Sequence, residues 1–221
     1  MNKTIYCEST PSDASFETPS PKYRPKRLFD LAIVLVLLPV FSPLIALLWL
    51  IVKMDGGPGF FGHERIGRNG VPFRCWKIRS MVPNSEERLK DHLASDPEAA
   101  REWSESFKLR NDPRITPIGK FLRKSSLDEL PQFWNVLLGE MSLVGPRPVS
   151  RDELQMYSIN LKSYLSMSPG ITGPWQVSGR NSLSYKQRVA IDVEYSRHAD
   201  LKIDIQILAK TALVVLKRTG L

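Results

Sequence analysis

Residues 28–52 read LFDLAIVLVLLPVFSPLIALLWLIV, an apolar stretch that carries a single charge, on Asp30. A continuous helix of this length would measure roughly 37 Å, which exceeds the ~30 Å hydrocarbon thickness of a bilayer. Apolar runs of this length rarely lie inside a small soluble domain, so a buried core helix is the weaker interpretation. The stretch therefore predicts a membrane helix around which the rest of the chain is organised.

Two prolines and a serine interrupt this stretch near its centre. Pro39 and Pro43 cannot donate to the carbonyls one turn earlier, which favours a sharp bend. The Ser42 hydroxyl can bond back to the Leu38 carbonyl and open that bend. Basic residues stand at both ends of the stretch: Lys22, Arg24, Lys26, Arg27, Lys53, Arg65 and Arg68. Because such residues prefer the cytoplasm, we favour a re-entrant helix broken at Ser42-Pro43, with a straight span as the rival.

The composition limits the classes of partner and of site. The 221 residues allow one ordinary domain with appendages, and 31 basic against 23 acidic residues give a net charge of +8. This excess suits nucleic acid, phospholipid heads or phosphorylated substrates. Two isolated cysteines, Cys7 and Cys75, form neither a disulfide framework nor a metal motif, and they fit a reducing compartment. Three scattered histidines give no zinc spacing.

The pattern along the chain predicts an α+β fold that is mostly helical. Residues 1–24 are rich in Ser, Thr and Pro and predict a disordered tail, followed by the membrane helix over 25–54. Residues 55–200 predict the globular domain, which begins with a Gly/Pro turn and a short extended segment around Trp76. Within it, residues 84–108 form a charged, helix-prone insertion. Residues 201–221 predict a last helix that packs on the core or lies in the membrane interface.

An acidic pair follows a strongly basic segment. Residues 108–132 read KLRNDPRITPIGKFLRKSSLDELPQ, in which six cations precede Asp128-Glu129. Ser126 and Glu129 match a capping box, but Pro131 favours Asp128 as the N-cap of a helix that ends near Gly139. The helix dipole, with Arg123 or Lys124 nearby, would then favour an ionised Asp128 that could attack phosphorus. A solvated charged surface is the alternative.

Two Gly/Pro-rich segments carry further arginines. Prolines on both sides of Arg147, in the sequence GPRP over 145–148, predict a stiff support for phosphate recognition. Residues 168–180 read SPGITGPWQVSGR and predict a loop around a site, or an irregular connection, that ends at Arg180.

Taken in order, these strings are more specific than any of them alone. The sequences KRLFD, CWKIRSM, LRKSSLDELPQFWNVLLGEMSLVGPRP and PGITGPWQVSGRN closely resemble the bacterial sugar transferase family. These proteins are monotopic phosphoglycosyl transferases that initiate exopolysaccharide and related glycans. The resemblance runs from about residue 25 to the end of the chain, and it is greatest to short initiators of the galactose-1-phosphate transferase type. The insertion over 84–108 is longer than in the smallest members.

The resemblance implies a fold and a location. It implies a re-entrant membrane hairpin that breaks at Ser42-Pro43, and a cytosolic catalytic domain with amphipathic helices at the surface of the bacterial inner membrane. It also implies roles for site residues. Asp128 matches the nucleophile, and Glu129 matches the acid that helps to hold Mg²⁺. Basic positions expected near phosphates or the nucleotide are Lys77, Arg79, Arg123, Arg147 and Arg180.

The reaction implied is transfer of a sugar 1-phosphate from a UDP-sugar to undecaprenyl phosphate, with release of UMP. Phospholipids are then partners, and nucleic acid is not, since no nucleic-acid-binding signature is visible. A membrane-tethered scaffold whose basic stretch grips acidic lipids is the alternative class. The sequence determines neither the sugar nor the oligomeric state, and a homodimer stays open.

Overall fold

The computed structural model describes residues 23–106, 109–179 and 182–216. In these ranges the chain is mostly helical with short strands, as predicted. The expected tail over 1–24 lies almost wholly outside the described residues, and so do Arg180 and residues 217–221. The helices, in chain order, are α1 (Tyr23–Lys53), α2 (Ser85–Ser95), α3 (Pro97–Ser106), α4 (Pro117–Ser125), α5 (Gln132–Leu138), α6 (Arg151–Leu154), α7 (Leu161–Leu165), α8 (Tyr185–His198) and α9 (Leu201–Leu216).

In the part of the chain that the structure describes, four strands form two small sheets. The antiparallel hairpin of β1 (Phe60–Ile66) and β2 (Pro72–Ile78) confirms the extended segment expected around Trp76. The strands β3 (Ser142–Val144) and β4 (Gly170–Thr172) pair in parallel. Short 3-10 turns at Arg68–Gly70, Leu127–Glu129, Gln155–Asn160 and Trp175–Val177 connect these elements. The insertion forms α2 and α3, which are separated at Asp96 as its following proline predicts.

The helix α1 stays helical through both prolines. The Ser42 hydroxyl donates to the Pro39 carbonyl at 3.0 Å, whereas the sequence predicted the Leu38 carbonyl. The reason is that Pro43 has no N–H, so the Pro39 carbonyl lacks its usual helical donor. By length and composition α1 could cross a membrane, and only 11% of its apolar window is buried. This exposure contradicts the interpretation of a buried core helix.

The N-terminal end of α1 is fixed to the globular domain by polar contacts. Lys26 forms an ion pair with the buried Asp204 of α9. Arg27 donates to the carbonyls of Val136 and Leu137 in the last turn of α5, where backbone donors run out. Asp30 is buried and accepts hydrogen bonds from the Ser142 hydroxyl at 2.7 Å and from the Leu143 N–H at 3.3 Å. Buried charges need such partners, so these contacts specify where the helix begins on the domain.

The C-terminal end of α1 is fixed by one arginine. Arg79 is 5% exposed, and its guanidinium donates to the carbonyls of Val52, Pro58 and Met81 at 3.1, 2.6 and 3.0 Å. It also pairs with Asp55 in the turn that follows α1. Four of its five N–H groups are thereby used within the protein. Arg79 thus joins the end of α1 to the end of β2.

Replacing Arg79 with alanine is expected to lower stability by about 3 kcal/mol, because buried carbonyls lose a charged donor. For a chain of this size that corresponds to roughly 10 °C in melting temperature, measured on detergent-solubilised protein. Arg101→Ala is the matched control, because Arg101 is exposed and its one ion pair, to Glu98, spans 4.0 Å. Equal melting temperatures for the two variants would contradict this role.

The main core joins α1, the sheets, α5, α8 and α9. Its buried members are Val34, Phe73, Cys75, Phe133, Val136, Met141, Leu143, Val144, Met167, Tyr195 and Ile207. The last helix packs on this core through Ile207, while Ile205 and Leu213 stay exposed. The helix α9 therefore combines a packing face with an exposed apolar face.

Candidate active site

The acidic pair lies in the 3-10 turn between α4 and α5. Asp128 is not the N-cap of the following helix, as the sequence predicted, because Pro131 occupies that position. The capping box is absent as well, since the Ser126 side chain makes no cap bond. Ser126 instead adopts a left-handed conformation (φ 57°) that ends α4 and turns the chain sharply. Such a conformation is strained for a residue other than glycine, and here it leads directly into the turn that carries both carboxylates.

The helix α5 is held against β2 by one buried amide. Asn135 is fully buried and accepts a bond from the Trp76 N–H at 3.0 Å. Its amide nitrogen donates to the Arg74 carbonyl and to the Glu140 carboxylate. As predicted, α5 ends at Gly139, whose φ of 85° suits glycine. Asn135 thereby places the acidic turn beside Lys77 of β2.

Glu129 is a paired carboxylate. Lys77 Nζ lies 2.6 Å from Glu129 Oε1, and Gln132 supplies another hydrogen bond. Burial raises the pKa of Glu129, but the attraction of Lys77 and Arg147 outweighs that effect, so its pKa lies below the ordinary value. Glu129 is therefore held as an anion.

Asp128 differs from Glu129 in its hydrogen bonding and in the direction of its pKa shift. Its side chain is 6% exposed, yet it accepts no hydrogen bond from any residue in the described ranges. Burial raises the pKa of Asp128 although Lys77, Arg123 and Arg147 oppose the shift, and Glu129 adds to it. The raised pKa contradicts the expectation from the sequence that the surroundings favour an ionised Asp128. The free carboxylate is desolvated and faces cations, which suits a group that becomes ionised when it reacts.

The loop that carries Arg147 is stiffened by backbone contacts. The Gly145 N–H donates to the Thr172 carbonyl, and the Gly170 N–H donates to the Pro146 carbonyl, at 2.9 and 2.8 Å. A Cβ on Gly170 would lie 2.1 Å from the Gly145 nitrogen, so only glycine permits this approach. The GPRP and PGITG motifs are therefore neighbours, and Arg147 extends from a rigid support.

Arg123 reaches the acidic turn from α4. Its Nε donates to the Ser80 hydroxyl at 2.9 Å, and its guanidinium attracts Asp128 and Asp112. Burial lowers the pKa of Arg123, but a guanidinium remains charged in proteins.

A cleft of about 260 Å³ opens beside Glu129, the second residue of the acidic pair. Its walls combine charged groups with a few apolar ones: Arg65, Cys75, Lys77, Glu129, Gln132, Arg147, Pro148, Ile171 and Gln176. A second cavity, of about 400 Å³, lies at the ion pair between Lys26 and Asp204 and shares no lining residue with the smaller cleft. The smaller cleft is the candidate active site, because it combines several cations with a residue of the acidic pair, a setting that suits phosphoryl groups.

A model of the bacterial sugar transferase family matches residues 22–218. The chain belongs to this family. It is similar to the undecaprenyl-phosphate galactose phosphotransferase of Salmonella typhimurium, with 55% identity over 195 residues, which are 88% of this chain and 41% of that protein. It is 48% identical to the exopolysaccharide production protein ExoY of Rhizobium meliloti over 196 residues, which are 88% of this chain and 87% of that protein.

A third relative is more distant. The chain is 35% identical to the UDP-glucose:undecaprenyl-phosphate glucose-1-phosphate transferase of Escherichia coli, over 84% of this chain and 39% of that protein. The chain thus spans about two fifths of the Salmonella and Escherichia proteins and most of the Rhizobium protein.

The structure brings together most of the site residues that the sequence of this family member predicted. Lys77, Arg123 and Arg147 surround Asp128 and Glu129. Arg79 is not brought into the cleft, because β2 ends at Ile78 and the next side chain turns toward α1. Sequence reasoning missed Arg65, Gln132, Asn135 and Glu153. For Gln132 and Asn135, the available signal was the pair of amide side chains in the sequence LPQFWN.

The carboxylates suit the magnesium ion that the family implies. In the described ranges, no group of three metal-ligating side chains comes together. Mg²⁺ commonly takes one or two carboxylates and completes its shell with substrate phosphate oxygens and water. Asp128 has a free carboxylate, and Glu129 has lone pairs beyond its bonds to Lys77 and Gln132. This donor set fits a magnesium ion that is shared with a phosphorylated substrate.

Proposed function

We propose that this chain transfers a sugar 1-phosphate from a UDP-sugar to undecaprenyl phosphate and releases UMP, as the first step of exopolysaccharide or related glycan synthesis. The names of the relatives support the acceptor and the reaction class. The observation that carries the proposal is the state of Asp128. It is a buried carboxylate without a protein hydrogen bond, beside a paired glutamate and three cations.

The proposed reaction has two displacements. In the first, a carboxylate oxygen of Asp128 attacks the sugar-bearing phosphorus, the bond to the bridging oxygen breaks, and its electron pair leaves with UMP. In the second, an oxygen of undecaprenyl phosphate attacks the same phosphorus and returns the carboxylate. Lys77, Arg123 and Arg147 stabilise the charge on the phosphoryl oxygens in both steps.

Glu129 has a different part in this scheme. Its pairing with Lys77 leaves it less free to attack, and it holds the lysine in the cleft. Together with Asp128 it would hold Mg²⁺, which when bound neutralises phosphate charge. Gln132 orients the glutamate from the first position of α5.

We propose that α1 enters the membrane and returns to the side from which it came. Its first turns contact α5, β3 and α9, while its last turn contacts β2 through Arg79. A straight span would place the two ends on opposite sides of the bilayer, where one water-exposed domain could not bind both. The basic flanks support a position of this domain on the cytoplasmic side of the inner membrane.

Exposed apolar side chains outside α1 support a position at the membrane surface. Phe121 of α4, and Trp134 and Leu138 of α5, are 51%, 53% and 57% exposed. These helices flank the acidic turn. Aromatic side chains favour the interface between lipid and water. The cleft would then open where a lipid-borne phosphate meets a soluble nucleotide sugar.

The proposed activity is tested with purified protein, undecaprenyl phosphate, Mg²⁺ and a panel of UDP-sugars. We expect release of UMP with at least one of them, matched by formation of a lipid-linked sugar phosphate. Hydrolysis of the donor without lipid product, or no UMP with any donor, would contradict the proposal. The panel also identifies the sugar.

A further inference from the structure

A second arginine beyond Arg147 extends the site toward α8. The guanidinium of Arg188 lies over the ring of Trp175, with 4.8 Å between its central carbon and the ring centroid. Its Nε is buried and has no hydrogen-bond partner among the described residues. Burial lowers the pKa of Arg188, and repulsion from Arg147 lowers it further. A buried donor without an acceptor is unfavourable, and a ligand oxygen would satisfy it.

The charges near Arg188 are not balanced within the protein. In the described part of the chain, the cations that interact with one another or with carboxylates here are Arg65, Lys77, Arg114, Arg123, Arg147 and Arg188, and the carboxylates are Asp112, Asp128, Glu129 and Glu153. Glu129 pairs with Lys77, and Glu153 pairs with Arg65 at 2.6 Å. Asp112 likewise pairs with Arg114, so six cations stand against four carboxylates, an excess of two positive charges. The excess matches a diphosphate, which carries one negative charge on each phosphate of a nucleotide sugar.

The interactions also give these groups an order in space. Asp128 interacts with Arg147, and Arg147 interacts in turn with Arg188. Asp128 is not among the groups that affect Arg188. Arg147 is therefore close enough to interact with both the acid and Arg188. A diphosphate with its sugar-bearing phosphorus at Asp128 would extend its other phosphate past Arg147 toward Arg188.

We propose that Arg188 binds the phosphate on the nucleotide side of the donor, which becomes the phosphate of the leaving nucleoside monophosphate. This inference rests on the proposed function and assigns one phosphate of its donor to α8. When the bond from the sugar-bearing phosphorus to the bridging oxygen breaks, that oxygen gains the electron pair. Arg188 stabilises the resulting charge by hydrogen bonds, and Trp175 holds the plane of the guanidinium.

The test separates the two displacements. For Arg188→Ala we expect the KM for the UDP-sugar and the inhibition constant of UMP to rise roughly tenfold, since one charged hydrogen bond is lost. For Arg188→Lys, both constants should lie between those of Arg188→Ala and those of the wild type. The rate at which undecaprenyl phosphate discharges enzyme already loaded with sugar phosphate should stay within twofold. Arg197→Ala, at an exposed position on the same helix, is the matched control and should leave all three quantities unchanged.

Two results would overturn the inference while the proposed function stands. One is a donor KM and a UMP inhibition constant within twofold of wild type in Arg188→Ala. The other is an equal loss in the discharge step, because this would indicate a general structural effect. A wild-type protein that neither releases UMP nor becomes loaded would overturn the proposed function itself, and this inference with it.

Discussion

Replacing Asp128 with asparagine is expected to reduce turnover by more than ~10³-fold, because an amide cannot form the phosphoryl bond that a carboxylate forms. The variant should also fail to retain labelled sugar phosphate when it is incubated with donor alone. The measurement is UMP release, together with mass analysis of the intact chain after donor treatment. Both readouts address the first displacement, before the lipid acceptor is involved.

The same substitution is expected not to lower the melting temperature. Since burial raises the pKa of Asp128 in the folded protein, folding favours its protonated form, and stability from this group rises as pH falls. At neutral pH its ionised form therefore opposes folding, and a neutral asparagine removes that opposition. The variant is therefore expected to lose activity and to keep its stability, which separates a reacting group from a structural one.

Asp91→Asn is the control for this experiment, because Asp91 is an exposed aspartate on α2. It should match the wild type in turnover and in melting temperature. Substantial turnover in Asp128→Asn, or an adduct on a different residue, would contradict the covalent scheme. A strong fall in melting temperature would show that the carboxylate is structural.

Replacing Pro39 and Pro43 together with alanine is expected to change the topology of α1. The double variant restores the two missing N–H donors, so a straight helix becomes more favourable. A straight helix of 31 residues is long enough to cross the bilayer. The N-terminal residues would then lie on the periplasmic side while the globular domain stays in the cytoplasm.

Cys7 is a natural probe for this change, since the only other cysteine, Cys75, is buried. In spheroplasts, a membrane-impermeant maleimide should leave the wild type unlabelled and label the double variant. A Cys7→Ser version of the double variant should stay unlabelled, which assigns the signal to the tail. Labelling of the wild type from outside would contradict re-entry.

The sequence predicted the features that depend on local composition. The apolar run predicts a membrane helix because runs of that length are rare in small soluble domains. Gly139 predicts the end of α5 because glycine readily adopts the positive φ that ends a helix. The acidic pair stood out because it follows so many cations. The family resemblance then indicated which carboxylate to propose as the nucleophile.

The features that the sequence did not predict depend on contacts between distant segments. Lys77 and Arg79 are two residues apart, yet one enters the cleft and the other binds α1, because the strand ends between them. Arg188 lies 60 residues beyond the acidic pair, and only the packing of α8 brings it near Arg147. The pKa of Asp128 could not be inferred either, since it follows from burial that no local pattern reports.

The attachment of both ends of α1 to one domain has a mechanical consequence. A helix joined by a single flexible linker would let the enzyme tilt and rise above the lipid surface. With attachments at Asp30 and Val52, near its two ends, the helix leaves the domain little freedom to rotate relative to it. If α1 re-enters the membrane as proposed, the height of the cleft above the acyl chains is nearly constant. A lipid-borne acceptor would then need to arrive only by lateral diffusion in two dimensions, with its head group already at the reacting level.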